Sequence, residues 1–314
     1  MTAKEIEIKE NNPWRKVAND IDPNDEKCLY DTKNKYVVKD DEGRISRFND
    51  DLKHDDEGKV IDDDRIILET PPEPWRGNPL SANLIILSLN PGYDPNINEI
   101  LAKLIQSNKS VRRELVTFRR DTLCLNAKSF LPEEKGNGPI TCEEAEDMLS
   151  GWYWTKRLNT LQDELFTEIG LSKEEFYKKV AVIEFHGYSS KTSTKGFPFE
   201  NKSNQPLKSQ EFTRDLIDYI SNRADVYFLI MRSKDKWEKL LSLSQYNNNI
   251  WKKLEDMQKL IYKENQTGRS CQYVTRNNLE KCFFDNRHNA NGYDKIKELF
   301  EKLYSNKPVC PQTS

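Results

Sequence analysis

The segment from Asn83 to Tyr93, Asn-Leu-Ile-Ile-Leu-Ser-Leu-Asn-Pro-Gly-Tyr, decides how this chain folds. Its apolar run, Leu84–Leu89, has the length and the branched side chains of a strand that is buried on both faces. Asn90-Pro91-Gly92 then forces a sharp turn, because proline fixes φ and glycine tolerates positive φ. Apolar residues recur at helical spacing from Ile97 onward, so the segment predicts a strand, a tight polar turn and a helix.

Three further apolar runs repeat this pattern along the chain. They are Val180–Phe185, Val226–Met231, and a final strand region made of Leu260–Tyr262 with Gln272–Thr275. Amphipathic helical stretches separate these runs, and one of them spans Gln210–Arg223. Strands that alternate with helices predict an α/β protein built as a sandwich around a parallel sheet.

The first part of the chain is polar and weakly patterned. We interpret residues 1–70 as an N-terminal extension that precedes a domain spanning residues 71–305. Within the extension, Lys35–Lys39 and Arg44–Phe48 are candidates to pair as a β-hairpin. The tetrad Asp40-Asp41-Glu42-Gly43 would form the turn of that hairpin.

Composition argues against a membrane or secreted protein. No apolar stretch in the 314 residues approaches the ~20 residues that a membrane span needs. The N-terminus lacks the apolar segment of a signal peptide. We therefore expect a cytoplasmic protein that does not act at a membrane.

Cysteine and histidine usage predicts that the protein carries no cofactor. The six cysteines are scattered without a Cys-x-x-Cys pair, and the chain has three histidines. This pattern is typical of reduced cytosolic thiols rather than of a zinc site or an iron–sulfur cluster. No Gly-rich dinucleotide fingerprint and no phosphate-binding Gly-Lys-Ser/Thr loop occurs either. We expect no metal and no cofactor.

The net charge of −3 is unusual for a protein that holds long duplex nucleic acid, because such proteins are usually basic. The charge is unevenly spread, however. The run Asp50–Asp64 is strongly acidic, whereas the region Arg214–Arg287 is rich in Lys and Arg. Net charge therefore does not exclude a local basic face.

Polar residues follow each predicted strand at its carboxyl end, where ligands sit in open α/β sheets. These residues are Asn90, His186 with Ser189, Arg232, and Arg276 with Asn277. We expect them to converge on one binding cleft. Two other interpretations stay open: Asn-Pro-Gly as turn chemistry alone, and Arg232 as a structural ion pair.

Several sequence elements resemble one known family. Leu89-Asn90-Pro91-Gly92 resembles the first motif of the uracil-DNA glycosylase superfamily, above all its mismatch-specific thymine/uracil branch, whose loop reads Gly-x-Asn-Pro-Gly. The chain is also similar to uncharacterised bacterial members, in consistent order over residues 71–279. The matching elements are Pro74–Pro79, Ile183–Ser189, Leu229–Trp237 and Val274–Leu279.

This resemblance implies a three-layer α/β/α sandwich around a parallel four-stranded sheet, and a DNA N-glycosylase of DNA repair that flips a damaged base into a pocket. Asn90 would orient the attacking water, and the backbone of Pro91 and Gly92 would approach the extruded nucleotide. Tyr93 would stack on the flipped base.

The remaining candidates, His186, Ser189, Arg232, Arg276 and Asn277, would bind substrate, with the arginines on phosphates. Two positions depart from the family pattern. Ser88 stands where the first motif has glycine, and Thr275–Asn278 replaces a second motif of the His-Pro-Ser type. The alternative is therefore a catalytically silent member that binds nucleic acid, a modified nucleotide or a protein partner through the same cleft.

Overall fold

The apolar runs form the central strands of one sheet. In this computed structural model the described residues are 2–25, 28–29, 35–52, 65–89, 91–92, 108–128, 130, 152–190, 205–230, 233–262, 274–284 and 291–305. The strands are β1 (Ile66–Ile67), β2 (Trp75–Arg76), β3 (Leu84–Ser88), β4 (Val180–Glu184), β5 (Ser189–Ser190), β6 (Tyr227–Ile230), β7 (Leu260–Tyr262) and β8 (Phe283–Phe284).

Eleven helices lie within the described residues. They are α1 (Ala3–Glu10), α2 (Trp14–Asp20), α3 (Lys39–Asp50), α4 (Lys109–Leu123), α5 (Trp152–Ile169), α6 (Lys173–Lys179), α7 (Lys208–Ser221), α8 (Lys234–Leu241), α9 (Ile250–Asp256), α10 (Arg276–Leu279) and α11 (Gly292–Ser305). Gly170 ends α5 with a φ of +69°, which glycine adopts at little cost.

The main sheet has the strand order β2-β4-β3-β6-β7-β8. The four inner strands run parallel, and β2 and β8 add antiparallel edges. Leu87 is in register with Ile183 on one side and with Ile230 on the other, and Ile230 is in register with Tyr262. The carboxyl ends of the inner strands therefore lie side by side. The prediction of an α/β fold with a mostly parallel sheet is confirmed, with two more strands than the four expected.

The sheet buries apolar side chains on both faces, because successive side chains of a strand point in opposite directions. Ile85 and Leu87 belong to one hydrophobic cluster, which we call the first face. Leu84 and Ile86 belong to a separate cluster, the second face. Helices α2, α4, α7, α8 and α9 contribute to the first face, and α5, α6, α10 and α11 contribute to the second.

The hairpin expected in the N-terminal extension is wrong, because Lys39–Asp50 forms α3 instead. The acids Asp40, Asp41 and Glu42 occupy the first turn of this helix, where the helix dipole favours negative charge. Ile45 is buried in the first-face cluster. Trp14 joins the same cluster, so the extension shares a core with the sheet. The domain boundary at residue 70 stays a prediction.

Residues 53–64, most of the acidic run, lie outside the described residues. Of the helices in the described part of the chain, none combines the length and the apolarity that a membrane crossing requires.

Candidate site at the carboxyl edge of the sheet

Hydrogen bonds join the segment after β3 to the segment after β4. The backbone N–H of Phe185 donates to the carbonyl of Ser88 at 3.1 Å, and that of His186 donates to Leu89 at 2.9 Å. Ser190 N–H lies 3.4 Å from the carbonyl oxygen of Pro91. Gly92 and Ser190 then form an isolated parallel bridge. We call this region, made of Ser88, Leu89, Pro91 and Gly92 with Phe185–Ser190, the carboxyl edge.

The structure brings together four of the residues that the sequence predicts for the site: Pro91, Gly92, His186 and Ser189. Pro91 and Ser189 are buried, and Ser189 is in β5, paired with Ile67 of β1. Three other predicted residues, Asn90, Tyr93 and Arg232, lie outside the described residues.

Gly92, in the first-motif turn, is exposed. A Cβ built on it meets no atom of the described residues within 4 Å, so they leave space beside this backbone. Gly43, in α3, has the same open surroundings.

Gly187 is the opposite case. A Cβ at this position would lie 2.6 Å from Cζ2 of Trp14 and 2.9 Å from Cβ of Pro74. Its carbonyl also accepts a hydrogen bond of 2.7 Å from the backbone N–H of Glu73. Residues Phe185–Tyr188, between β4 and β5, form what we call the β4 loop. This loop is therefore packed tightly against α2 and the segment before β2.

His186 is held in a buried position at this edge, with 2% of its surface exposed. Its Nδ1 lies 3.2 Å from Nε2 of Gln210, in the first turn of α7. The rings of Phe185 and His186 pack in a T-shaped arrangement with a centroid distance of 4.7 Å. Burial holds the pKa of His186 well below its usual value, and the positive charge of Lys236 acts in the same direction. The ring is therefore neutral at pH 7.

A second buried network fixes the end of the β4 loop. The hydroxyl of Tyr188 donates to Oδ2 of Asp41 at 2.9 Å and accepts from the backbone N–H of Val38 at 3.2 Å. Oδ1 of Asp41 accepts from the backbone N–H of Lys208 at 2.6 Å. Burial raises the pKa of Asp41 and, more strongly, that of Tyr188. This network ties α3 and α7 to the loop.

Helix α8 begins just after β6 and places two lysines, Lys234 and Lys236, at this end of the sheet. Nζ of Lys234, in the first turn, lies 4.6 Å from the centre of the Tyr262 ring at the end of β7. Its carboxylate contact is with Glu238, at 3.8 Å. Lys236 follows in the same turn of the helix, near enough to affect the pKa of His186.

Arg276 and Asn277 are not brought to this group. They begin α10, where Thr275 Oγ1 caps the helix by accepting from Asn278 N–H at 3.3 Å. Nη1 of Arg276 is 2.7 Å from Oε1 of Glu168 on α5, and its Nε is 2.7 Å from Oε1 of Glu280. The guanidinium also lies 4.8 Å from the centre of the Tyr293 ring, which belongs to the second face. Asn277 is exposed.

Sequence reasoning missed Gln210 and Asp41 as site-supporting residues. Gln210 is 24 positions from His186, and Asp41 is 147 positions from Tyr188. Neither contact has a local sequence signal. The one available hint was a glutamine and an aspartate beside helix starts, where both residue types are common.

A cavity of about 340 Å³ lies between α3 and the Arg65–Glu69 segment. Its lining mixes both charge signs, and Arg65 pairs with Glu69, so it offers no single sign of charge to a ligand. Among the described residues, no group of three or more His, Cys, Asp or Glu side chains is arranged to hold a metal ion.

No protein-family model, no curated protein and no solved structure matches this chain. A proposal for its function therefore rests on the carboxyl edge itself.

Proposed function

We propose that this chain is a uracil-DNA glycosylase-like protein that binds an extruded nucleotide of DNA at the carboxyl edge and hydrolyses the N-glycosidic bond of its damaged or modified base. One observation carries the proposal. The turn that follows β3 and the loop that follows β4 are hydrogen-bonded to each other, from the Leu89–His186 pair to the Gly92–Ser190 bridge. Such adjacent strand ends are where α/β sheets bind ligands.

The strand order supports the family architecture behind this proposal. Four parallel strands, in the order β4-β3-β6-β7, form the middle of the sheet. Apolar clusters that draw on different helices cover its two faces. We interpret this arrangement as the three-layer α/β/α sandwich that the resemblance implies.

The open backbone at Gly92 supports a close approach by the nucleotide. Since a Cβ there meets no atom of the described residues within 4 Å, packing in the described part of the chain does not require glycine. A ligand that contacts the backbone at this position would explain the glycine, because a side chain would keep the ligand away. Tyr93, the next residue, would supply the stacking ring, and stacking is worth about 1–3 kcal/mol per base.

Charge near the edge suits a phosphate backbone. Lys234 and Lys236 stand in the first turn of α8, and the side chain of Lys234 is 22% exposed. Together with Arg232 they would contact the phosphates that flank the extruded nucleotide. This local positive charge reconciles DNA binding with a net charge of −3.

In the proposed reaction, a water oxygen bonds to C1′ of the deoxyribose while the bond from C1′ to the base nitrogen breaks. The bonding pair leaves with the base, and the proton of the water ends on the base or on solvent. The Asn90 amide would accept a hydrogen bond from the water and so orient it. Because an amide is a weak base, the barrier would be lowered mainly by stabilising the charges that develop in the transition state.

Binding without cleavage is the second candidate, and one observation favours it. The segment Thr275–Asn278, which replaces the second family motif, forms the start of α10 with Arg276 in ion pairs to Glu168 and Glu280. A leaving-base contact from Arg276 would require these pairs to break.

Base release separates the two candidates. Single- and double-stranded oligonucleotides that carry uracil, hypoxanthine or mismatched thymine are incubated with the protein, and free base and abasic sites are measured. Release from any of them supports the glycosylase. Salt-sensitive binding without release supports the silent binder, because phosphate contacts weaken steeply with salt. If the protein neither releases base nor binds these oligonucleotides, nucleic acid is removed from the proposed function.

A further inference from the structure

His186 and Gln210 form a buried side-chain pair beside the site. Both side chains are almost fully buried, with 2% and 1% of their surfaces exposed. The backbone of His186 is fixed by its hydrogen bond to Leu89, at the junction of the two site segments. The tautomer and the protonation state of the His186 ring are therefore determined by its neighbours rather than by bulk solvent.

The orientation of the Gln210 amide is determined by its own helix. Oε1 of Gln210 accepts the backbone N–H of Leu207 at 2.9 Å, which forms part of the cap of α7. The amide nitrogen must then point the other way. It lies 3.2 Å from Nδ1 of His186 and 3.4 Å from the carbonyl oxygen of Phe185. Because an amide NH₂ only donates, Nδ1 is the acceptor of this bond.

We propose that Gln210 is a positioning residue that locks His186 as the neutral tautomer with its proton on Nε2. The imidazole then has one fixed donor, the N–H at the buried Nε2, and its charge does not change between about pH 5 and 8, the range in which free histidine titrates.

The surroundings of the His186 ring also favour its neutral form. An amide NH₂ at Nδ1 opposes protonation there, since protonation would place two donors face to face. Lys236 on α8 opposes a second positive charge, and burial lowers the pKa of His186. The Phe185 ring, which carries no charge, packs on it in a T-shaped arrangement.

The tautomer is read directly from the ¹⁵N shifts and two-bond ¹H–¹⁵N couplings of the histidine rings in the full chain. The chain has three histidines, and His54→Gln and His288→Gln variants assign the signals. We expect His186 to show a protonated Nε2 and an unprotonated Nδ1, unchanged between about pH 5 and 8. A protonated Nδ1, or a titration in this range, would overturn the proposal.

Gln210→Glu tests the cause. One carboxylate oxygen retains the Leu207 cap, while the other accepts a hydrogen bond from a protonated Nδ1. His186 should therefore gain an Nδ1 proton and begin to titrate between about pH 5 and 8. Gln245→Glu, at an exposed position after α8, is the matched control and should leave the ring unchanged. A His186 spectrum unaffected by Gln210→Glu would show that another group sets the tautomer. The wild-type spectrum keeps the test valid should this variant not fold.

A consequence for binding rests on the function proposed above. The Kd of Gln210→Glu for a uracil-containing oligonucleotide, relative to wild type, should change about tenfold across the new titration of His186, the effect of about 1.4 kcal/mol. A constant ratio, with the tautomer as predicted, would exclude His186 as a ligand contact. Lack of any oligonucleotide binding would contradict the proposed function and leave the positioning role intact.

Discussion

The backbone N–H of His186 lies 2.9 Å from the carbonyl oxygen of Leu89 and donates a hydrogen bond to it. Within the sheet, β3 and β4 pair in parallel with Leu87 in register with Ile183, and this bond continues their pairing past the ends of both strands. Leu89, Pro91 and Gly92 are therefore joined by backbone pairing to the segment that follows β4. A change in either segment is expected to affect the other.

Gly92→Ala should raise the stability of the fold and lower its affinity for DNA. The position is open and does not have a positive φ, so alanine should stabilise the fold by about 0.4–1 kcal/mol through the unfolded state. A nucleotide in contact with this backbone would meet the new methyl group, and overpacking of about 1–3 kcal/mol corresponds to a loss of about 5- to 140-fold in affinity. Urea unfolding and oligonucleotide titration measure the two effects.

Gly43→Ala is the control for this experiment, because Gly43 is exposed on α3 and its Cβ also meets no described atom within 4 Å. It should stabilise the protein and leave binding unchanged. Equal affinities for wild type and Gly92→Ala would mean that no ligand approaches this backbone.

The buried neutral state of His186 predicts a pH dependence of stability. Its pKa in the folded state is well below the ordinary value of 6.5, so the unfolded chain binds more protons as pH falls below 6.5. The free energy of unfolding should then fall by up to about 1.4 kcal/mol per pH unit. His186→Gln should lack this contribution. Urea unfolding of both proteins between about pH 5 and 8 measures the difference, and parallel curves would contradict it.

Gly187→Ala should destabilise the fold. The added methyl group would lie 2.6 Å from an atom of the Trp14 ring, and the backbone of Gly187 is fixed by the Glu73 hydrogen bond. Overpacking of this kind typically costs about 1–3 kcal/mol. Thermal and urea unfolding check it against Gly43→Ala. An unchanged free energy of unfolding would show that α2 can move away from the loop.

Arg276→Gln should not change the salt dependence of DNA binding. Its guanidinium pairs with Glu168 and Glu280 on the second face. Arg232→Gln should reduce the slope of log K against log salt by about 0.9, the contribution of one phosphate contact. Titrations at several salt concentrations measure both slopes. A reduced slope for Arg276→Gln would place this arginine on a phosphate after all.

The inner strands could be predicted from the sequence because each is a short and mostly apolar run, in which Ser88 and Glu184 are the polar residues at the ends of β3 and β4. Leu84–Leu89 and Val180–Phe185 differ from β3 and β4 by one residue at the end. The edge strand β2 could not be found this way. Trp75 and Arg76 are only two residues after a proline-rich bend, and their pairing with Ile183 and Val182 is a tertiary property.

The α3 helix shows why local turn chemistry misled the prediction. Asp40-Asp41-Glu42-Gly43 has the composition of a tight turn, yet the three acids favour a helix start equally well. Burial of Ile45 and the contact of Asp41 with α7 and Tyr188 decide between them. Neither can be seen from a single sequence.

The site was predictable only in part, for the same reason. Adjacent strand ends follow from the parallel sheet, which explains why Gly92, His186 and Ser189 come together. The position of Arg276 depends on an ion pair with Glu168, which is 108 residues away in sequence. The partner of His186 depends on how α7 packs on the first face.

Base release by wild type and by Asn90→Ala is the most direct test of the central claim. Wild type should release base from at least one oligonucleotide carrying uracil, hypoxanthine or mismatched thymine. Asn90→Ala should release it about 10²–10³ times more slowly, the loss of one preorganised polar contact, while its affinity for the oligonucleotide stays close to wild type. Asn126→Ala, at an exposed position where Lys9 is the side-chain partner, is the matched control and should act like wild type. No release by wild type from any of these substrates, or equal release by Asn90→Ala, would contradict the claim.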